Sequence, residues 1–314
     1  MSESKTFIII VTFNGIQWIQ KCIQSILTKS SHHQIIVVDN NSSDNTVEFL
    51  RENYPSIFLF ELDANLGFGS ANNIGISLAL KKNADYVFLL NQDAYLEFGC
   101  VETLTEVHKN NNEFGILSPI HLDGPGNRLD WKFANYINYN SNKDFYSDYV
   151  LNKPKKEIYE LPFINAAGWL ISRECLLTVG GFDPIFFHYG EDDNYCQRLK
   201  YHGFKIGIVP KAKLKHDRVQ SERRMNNKEI EETLLWKKER NYKIRYANIN
   251  TDNLKSFRNL KYKRKKAAIR SFIKLNFVTG KKYWAEANLI DRISPEIKRS
   301  IELNKLKAPT YLKL

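Results

Sequence analysis

The feature that most limits what this chain can fold into is a run of short strand-like segments, each followed by a helical pattern, from Phe7 to Ser118. Phe7–Phe13 is rich in β-branched and aromatic residues, and Ile16, Ile19, Ile23, Ile26 and Leu27 follow at helical spacing. Gln34–Val38 reads as a second strand, and the serines of Asp39-Asn-Asn-Ser-Ser-Asp can cap a helix over Thr46–Asn53. Ile57–Leu62, Tyr86–Leu90 and Phe114–Ser118 repeat the strand signal, with helices predicted over Ser70–Lys82 and Val101–Lys109. Parallel strands need crossover connections and bury both faces, so this alternation predicts a mostly parallel sheet with helices on both sides.

In such a sheet, ligands bind beyond the carboxyl ends of the strands. Four successive strand ends carry an acid or an amide there: Thr12-Phe-Asn-Gly, Asp39, the run from Asp63 to Asn73, and Asn91-Gln-Asp93. Each alone is an ordinary turn or cap residue; their recurrence at one edge points to a site. The chain has neither the Gly-x-Gly-x-x-Gly of a dinucleotide fold after its first strand nor a P-loop, so phosphates must be held another way. Asp93 is the leading candidate to hold Mg²⁺ or Mn²⁺, hard ions that bridge to diphosphate oxygens. His216, at the end of Ala212-Lys-Leu-Lys-His, could complete that site.

A second cluster, Glu191-Asp-Asp193, opens a predicted helix over Glu191–Tyr201. Acids complement a helix N-terminus and need no further reason to be there. The preceding Phe182-Asp-Pro-Ile-Phe-Phe-His-Tyr-Gly190 is unusually aromatic for a surface loop, which places the acids beside an apolar pocket where a carboxylate could act as general base.

These motifs together resemble the family 2 glycosyltransferases with the GT-A fold, especially their rhamnosyltransferase-like branch. The resemblance runs from Phe7 to His216 and rests on Val11-Thr-Phe-Asn-Gly15, Val37-Val-Asp-Asn-Asn-Ser-Ser-Asp44, Asn65-Leu-Gly-Phe-Gly-Ser-Ala-Asn-Asn-Ile-Gly75, Leu89-Leu-Asn-Gln-Asp93, Gly181-Phe-Asp-Pro184, Glu191-Asp-Asp-Asn-Tyr-Cys-Gln-Arg198 and His216. It implies that Thr12, Asn14 and Asp39 contact a donor nucleotide, that Asn65, Gly67, Asn72 and Asn73 lie near its ribose and phosphates, and that Asn91 and Asp93 occupy the Asp-x-Asp position. Asp93 and His216 would hold Mn²⁺ or Mg²⁺, Asp192 would be the catalytic base with Glu191 positioning it, and Gly168 with Trp169 would form an acceptor or sugar wall. Two residues depart from the family pattern: Asn91 replaces the first acid of Asp-x-Asp, and Asn194 stands where a second acid after Glu-Asp is common, with Asp193 one place earlier. The implied activity is inverting sugar transfer from a nucleoside diphosphate, dTDP-rhamnose before a UDP-hexose, to a glycan or lipid-linked acceptor in surface polysaccharide assembly.

The rest of the chain lies outside this resemblance. Residues 120–160 lose periodicity and read as a long insertion in a domain spanning 1–216, and 217–314 reads as a basic helical region. Net charge is −4 up to His216 and +15 beyond it. Within 255–282, Ile269, Phe272, Ile273 and Phe277 share a helical face among lysines; this face either packs on the catalytic domain or a second subunit, or rests on an anionic membrane. No apolar run approaches the length of a bilayer span, and Cys22, Cys100, Cys175 and Cys196 form no metal or disulfide pattern, so the expected location is cytoplasmic or peripheral at the inner membrane face. A nucleic-acid-binding role for the basic region is the rival reading, but no nucleic-acid motif accompanies the charge and no such partner is expected. A sugar nucleotidyltransferase is another rival, and it lacks the basic Gly-rich first loop. A homodimer is compatible with the sequence.

Overall fold

A computed structural model describes residues 4–29, 33–218 and 227–314, and the side chains of all of these except 29 and 227–232; residues 219–226 of the expected basic region and the side chain of Ile230 lie outside them. The chain begins β1 (Thr6–Thr12), α1 (Ile16–Lys29), β2 (Gln34–Asp39), α2 (Thr46–Asn53), β3 (Phe58–Glu61), α3 (Phe68–Lys81), β4 (Tyr86–Asn91) and β5 (Ala94–Leu96). It continues through α4 (Cys100–Lys109), β6 (Phe114–Asp123), α5 (Trp131–Tyr136), α6 (Lys143–Val150), β7 (Tyr159–Glu160), β8 (Gly168–Ser172), α7 (Arg173–Val179), α8 (Glu191–Tyr201) and β9 (Lys205–His216). Three helices follow: α9 (Asn227–Tyr246), α10 (Leu254–Ile273) and α11 (Phe277–Asn304).

The strands form one sheet in the order β3-β2-β1-β4-β8-β6-β9-β5, with β7 paired to β9. Alternation along β1 shows why both faces are covered. Ile9 and Val11 enter a core with α3 and α8 residues, whereas Ile8 and Ile10 enter a second core with α1 and α4 residues. The first four strands are parallel as expected, and their register levels their ends: Thr12 pairs with Asp39 and Val11 with Asn91.

The other half of the sheet is mixed. β8 runs antiparallel to both β4 and β6, and β5 and β7 run antiparallel to β9. β8 is only five residues long and buried throughout, so it shows no polar alternation by which to read it. The 120–160 segment is likewise not a loose insertion. Helices α5 and α6 are capped by the Asp130 and Asn142 side chains, and Phe133, Ile137 and Phe145 join the main core. Six- and eight-residue helices span too few turns for a periodic signal.

The C-terminal helices have a core of their own, built on Tyr246, Phe257, Leu289, Ile290, Ile293 and Ile297, with Ile185 of the aromatic loop packed against it. Glu286 ties the three helices together, accepting from Lys238 on α9, Arg264 on α10 and the Tyr242 hydroxyl. The chain then returns to the sheet domain. Ser300 and Asn304 both donate to Asp183 Oδ2, at 2.6 and 2.7 Å, Gly181 N–H donates to Thr310 O, and Lys313 N–H donates to Ser77 Oγ on α3. The last helix and the residues after it are thus fastened to the flank of the sheet.

Candidate active site

Polar residues at the levelled strand ends form a partly buried lattice that continues into a cavity wall. In the lattice, Thr12 Oγ1 donates to Gln92 Oε1 at 2.7 Å, and Gln92 Oε1 also accepts from Phe13 N–H. Both Asp39 carboxylate oxygens accept from Ser42, and Asn14 Oδ1 accepts from Ser43 N–H. Asn40 and Asn65 clamp the next turn: Asn40 Nδ2 donates to Asn65 Oδ1, and Asn40 Oδ1 accepts from Leu66 N–H. Asn, Asp and Ser recur here because their short side chains satisfy turn backbone that the sheet leaves unpaired.

Above this lattice lies a cavity of about 370 Å³ lined by Asn40, Asn65, Gly67, Asn91, Asp93 and His188, with Phe13, Phe68, Gln92 and Phe187 among its other walls. Its size suits a small ligand. Gly67 makes the cavity possible: at φ +82° its backbone excludes other residues, and a Cβ there would stand 1.9 Å from Phe187 O. Two turns far apart in sequence close over one space as a result. A larger cleft of about 500 Å³, around Tyr86, His108 and Arg173, opens at the opposite, amino edge of the strands and holds none of the acids singled out above.

Of the residues expected at a donor, Asn65, Gly67, Asn91 and Asp93 line the cavity. Thr12, Asn14 and Asp39 belong to the lattice that shapes it. Asn72 and Asn73 require correction: both are buried in α3, and Asn73 spends its amide on the backbone N–H and C=O of Phe182. Gly168 and Trp169 also require it. Gly168 is covered by Leu214, and the Trp169 indole is fully buried, stacked 6.0 Å from Phe182, so neither presents a surface to a sugar. Phe187, His188, Asn40 and Gln92 were missed; the aromatic richness of the 182–189 loop was the available signal for the first two.

Asp93 and His216 converge as expected, with His216 Nε2 3.3 Å from Asp93 Oδ1 and 3.5 Å from Asn91 Nδ2. Adjacent ligands of an octahedral ion with ~2.1 Å bonds stand about 3 Å apart, so the pair fits Mg²⁺ or Mn²⁺. Among the described residues no group of three or more His, Cys, Asp and Glu gathers as a cage. Two protein donors completed by phosphate oxygens and water are the usual arrangement for Mg²⁺. Behind His216, Asp130 Oδ2 lies 3.9 Å from Nδ1 and accepts from Arg218 Nε at 2.6 Å. At that distance Asp130 makes no hydrogen bond to the ring, and Nδ1 is buried without a partner. Nothing in the sequence pointed to Asp130, because it lies in the segment that reads as an insertion.

The acids of α8 begin against α3, where a Cβ on Gly69 would stand 3.6 Å from Glu191 Cβ. Burial pushes the Glu191 carboxyl up from 4.5 to about 7. Burial, then the charge of Glu191, pushes Asp192 well above the ordinary carboxylate range, and burial raises Asp193 as well. Asp192 Oδ2 accepts from Ala166 N–H at 3.2 Å, whereas Oδ1 is buried without a hydrogen-bond partner. A raised carboxylate with an open lone pair is equipped to take a proton.

Residues 7–178 match the family model described as "Glycosyl transferase family 2". The chain belongs to glycosyl transferase family 2. It is therefore a glycosyltransferase, and its curated relatives place it beside the rhamnosyltransferase-like members. It is 24% identical to the dTDP-rhamnosyl transferase RfbF of Shigella flexneri over 68% of this chain and 69% of that one. It is 26% identical to an N-acetylglucosaminyl-diphospho-decaprenol L-rhamnosyltransferase of Mycobacterium tuberculosis, over 68% of this chain and 76% of the relative. The rhamnosyltransferase WbbL of Escherichia coli is also 26% identical, over 65% and 80%. Among solved structures, GalNAc-T7 with UDP, GalNAc and Mn²⁺ aligns with a TM-score of 0.54 at 15% identity, over 77% of this chain and 50% of that one, which establishes the shared GT-A fold.

Proposed function

We propose that this glycosyltransferase moves a sugar from a nucleoside diphosphate to a hydroxyl of a glycan or lipid-linked acceptor, with inversion, in surface polysaccharide assembly. The observation that carries the reading is the raised carboxyl of Asp192, whose Oδ1 is left without a hydrogen-bond partner. In this reading the acceptor hydroxyl attacks the anomeric carbon while Asp192 Oδ1 takes its proton. The bond from that carbon to the diphosphate breaks on the opposite face, and its electron pair leaves with the β-phosphate oxygen. Glu191, one residue before Asp192, raises the base's affinity for the proton through its charge. Asp93 and His216 would hold Mn²⁺ or Mg²⁺, which when bound offsets charge on the departing diphosphate. Asn65, whose Oδ1 already accepts from Asn40 Nδ2 and Gly67 N–H, would present its amide nitrogen toward the ribose and phosphates.

The names of the relatives favour dTDP-rhamnose over a UDP-hexose as donor, and the mycobacterial relative's name supports a lipid-linked acceptor. Among the described residues no helix is long and apolar enough to cross a membrane, so such an acceptor would be met at the bilayer surface. The test is calorimetric titration of dTDP, UDP, GDP and ADP, each with Mn²⁺ and with EDTA, into the wild type and Asp93→Ala. We expect dTDP to bind most tightly with Mn²⁺, and the metal dependence to vanish in Asp93→Ala. Equal binding in EDTA would refute the metal assignment, and preference for a purine nucleotide would refute the donor.

A further inference from the structure

The turn between α10 and α11 carries two costs that the fold does not need. The end of α10 closes as a Schellman motif: Asn276 N–H donates to Ser271 O, and Leu275 N–H to Phe272 O, both at 2.9 Å. The residue that turns left-handed in such a motif is ordinarily glycine, yet here it is Leu275 at φ +56°. Its side chain is 75% exposed, and Ile273, Phe277 and Val278 around it are 76%, 55% and 68% exposed. A strained backbone thus holds an aliphatic side chain out in water. The turn is nonetheless firmly built, since Asn276 caps α11 by accepting from Thr279 N–H and Phe272 packs beneath it against Gly280.

Charge surrounds this apolar tip. From Leu254 to Ala285 there are eleven lysines and arginines and no acid. Lys261, Arg264 and Lys265 pair with Asp291 or Glu286. Arg270, Lys274, Lys281 and Lys282, nearest the tip, form no ion pair among the described residues. A second copy of the chain docked symmetrically here would set lysine against lysine. A nucleic acid would answer the charge and leave Ile273, Leu275 and Val278 in water. We infer that the α10–α11 turn inserts Ile273, Leu275, Phe277 and Val278 into the surface of an anionic phospholipid bilayer while Arg270, Lys274, Lys281 and Lys282 meet its headgroups. This docking goes beyond the transfer reaction and does not depend on it.

The test is flotation of the full chain with phosphatidylcholine vesicles, with and without about a third phosphatidylglycerol, in the absence of nucleotide and acceptor. The wild type should float with the anionic vesicles, release them as salt rises, and ignore the neutral ones. Leu275→Gly should relieve the turn, melt no lower than the wild type, and bind roughly tenfold more weakly. Lys281→Glu and Lys282→Glu should each lose about fivefold or more. The inference is overturned if neutral vesicles bind equally, if no vesicle binds, or if folded Leu275→Gly floats like the wild type. It is also overturned if sedimentation shows a dimer that Leu275→Gly disperses, or if a DNA duplex binds more tightly than the anionic vesicle. Loss of the transferase reading would leave each of these results unchanged, because the vesicles carry no acceptor.

Discussion

Replacing Glu191 by Gln should stabilise the protein while impairing it, and the sign depends on pH in a way the structure fixes. Burial raises this carboxyl from 4.5 to about 7, so the folded state prefers the protonated acid. A pKa raised on folding contributes stability that is fully present below the unfolded value and lost as pH rises through the folded one. The wild type therefore pays nothing for Glu191 below about pH 4 and the full penalty above about pH 7, where the shift corresponds to about 3 kcal/mol. Glutamine has no such slope. At pH 8, Glu191→Gln should melt higher by about 6 °C, and the gap should shrink toward zero at pH 5. Asp192→Asn should show the same sign of stabilisation and lose transfer by about 10²- to 10⁴-fold. Wild-type transfer should rise with pH above the ordinary carboxylate range, because Asp192 must be ionised to act and its carboxyl lies well above that range. Thermal melts at pH 5 and 8, with initial rates of sugar transfer at the same values, test both halves. A Glu191→Gln protein that melts lower than the wild type at pH 8, or a rate that is flat with pH, would refute the reasoning.

Gly67→Ala should destabilise by about 1–3 kcal/mol and weaken nucleotide binding, because its φ of +82° is strained for alanine and the new methyl would meet Phe187 O; chemical denaturation and calorimetry would show it. Arg198 is fully buried, and its guanidinium donates to Gly181 O at 2.6 Å and to Val179 O. Arg198→Ala should cost about 3 kcal/mol in urea unfolding through the orphaned carbonyls, with Arg198→Lys recovering only part. Deleting residues 308–314 removes the Thr310, Leu312 and Lys313 contacts on the sheet domain and should lower stability by about 2–4 kcal/mol. An unchanged melting curve for that deletion would show the fastening to be superficial.

The half of the sheet that could be read from sequence is the half built by local rules. Strands β1 to β4 are apolar runs bounded by polar turns, and their common carboxyl edge follows from right-handed parallel crossovers alone. Asp93 and His216 are paired in the sequence only through family motifs, and they stand 3.3 Å apart. Asn73 and Trp169 were misread for one shared physical reason. An amide and an indole are suited equally to a ligand and to an interior, and only packing against Phe182 decides. Phe187 and His188 were seen as aromatic surroundings for the acids and not as walls of the cavity beside Asp93, since that placement depends on the close approach allowed by Gly67. Asp130 had no local signal at all. Its ion pair exists only once the chain just past β9 brings Arg218 to it from 88 residues away.

The return of the chain end to α8 also sets an order of events at the ribosome. The sheet has all its strands once His216 is made, but Arg198 and Asp183 still lack Thr310, Ser300 and Asn304. Roughly a hundred further residues must be added, which takes on the order of 5–20 s at ordinary elongation rates. Through that interval a newborn chain has a finished sheet and an open flank beneath the helix that carries Glu191 and Asp192. This is the stretch of its synthesis in which chaperones and proteases have the most to recognise.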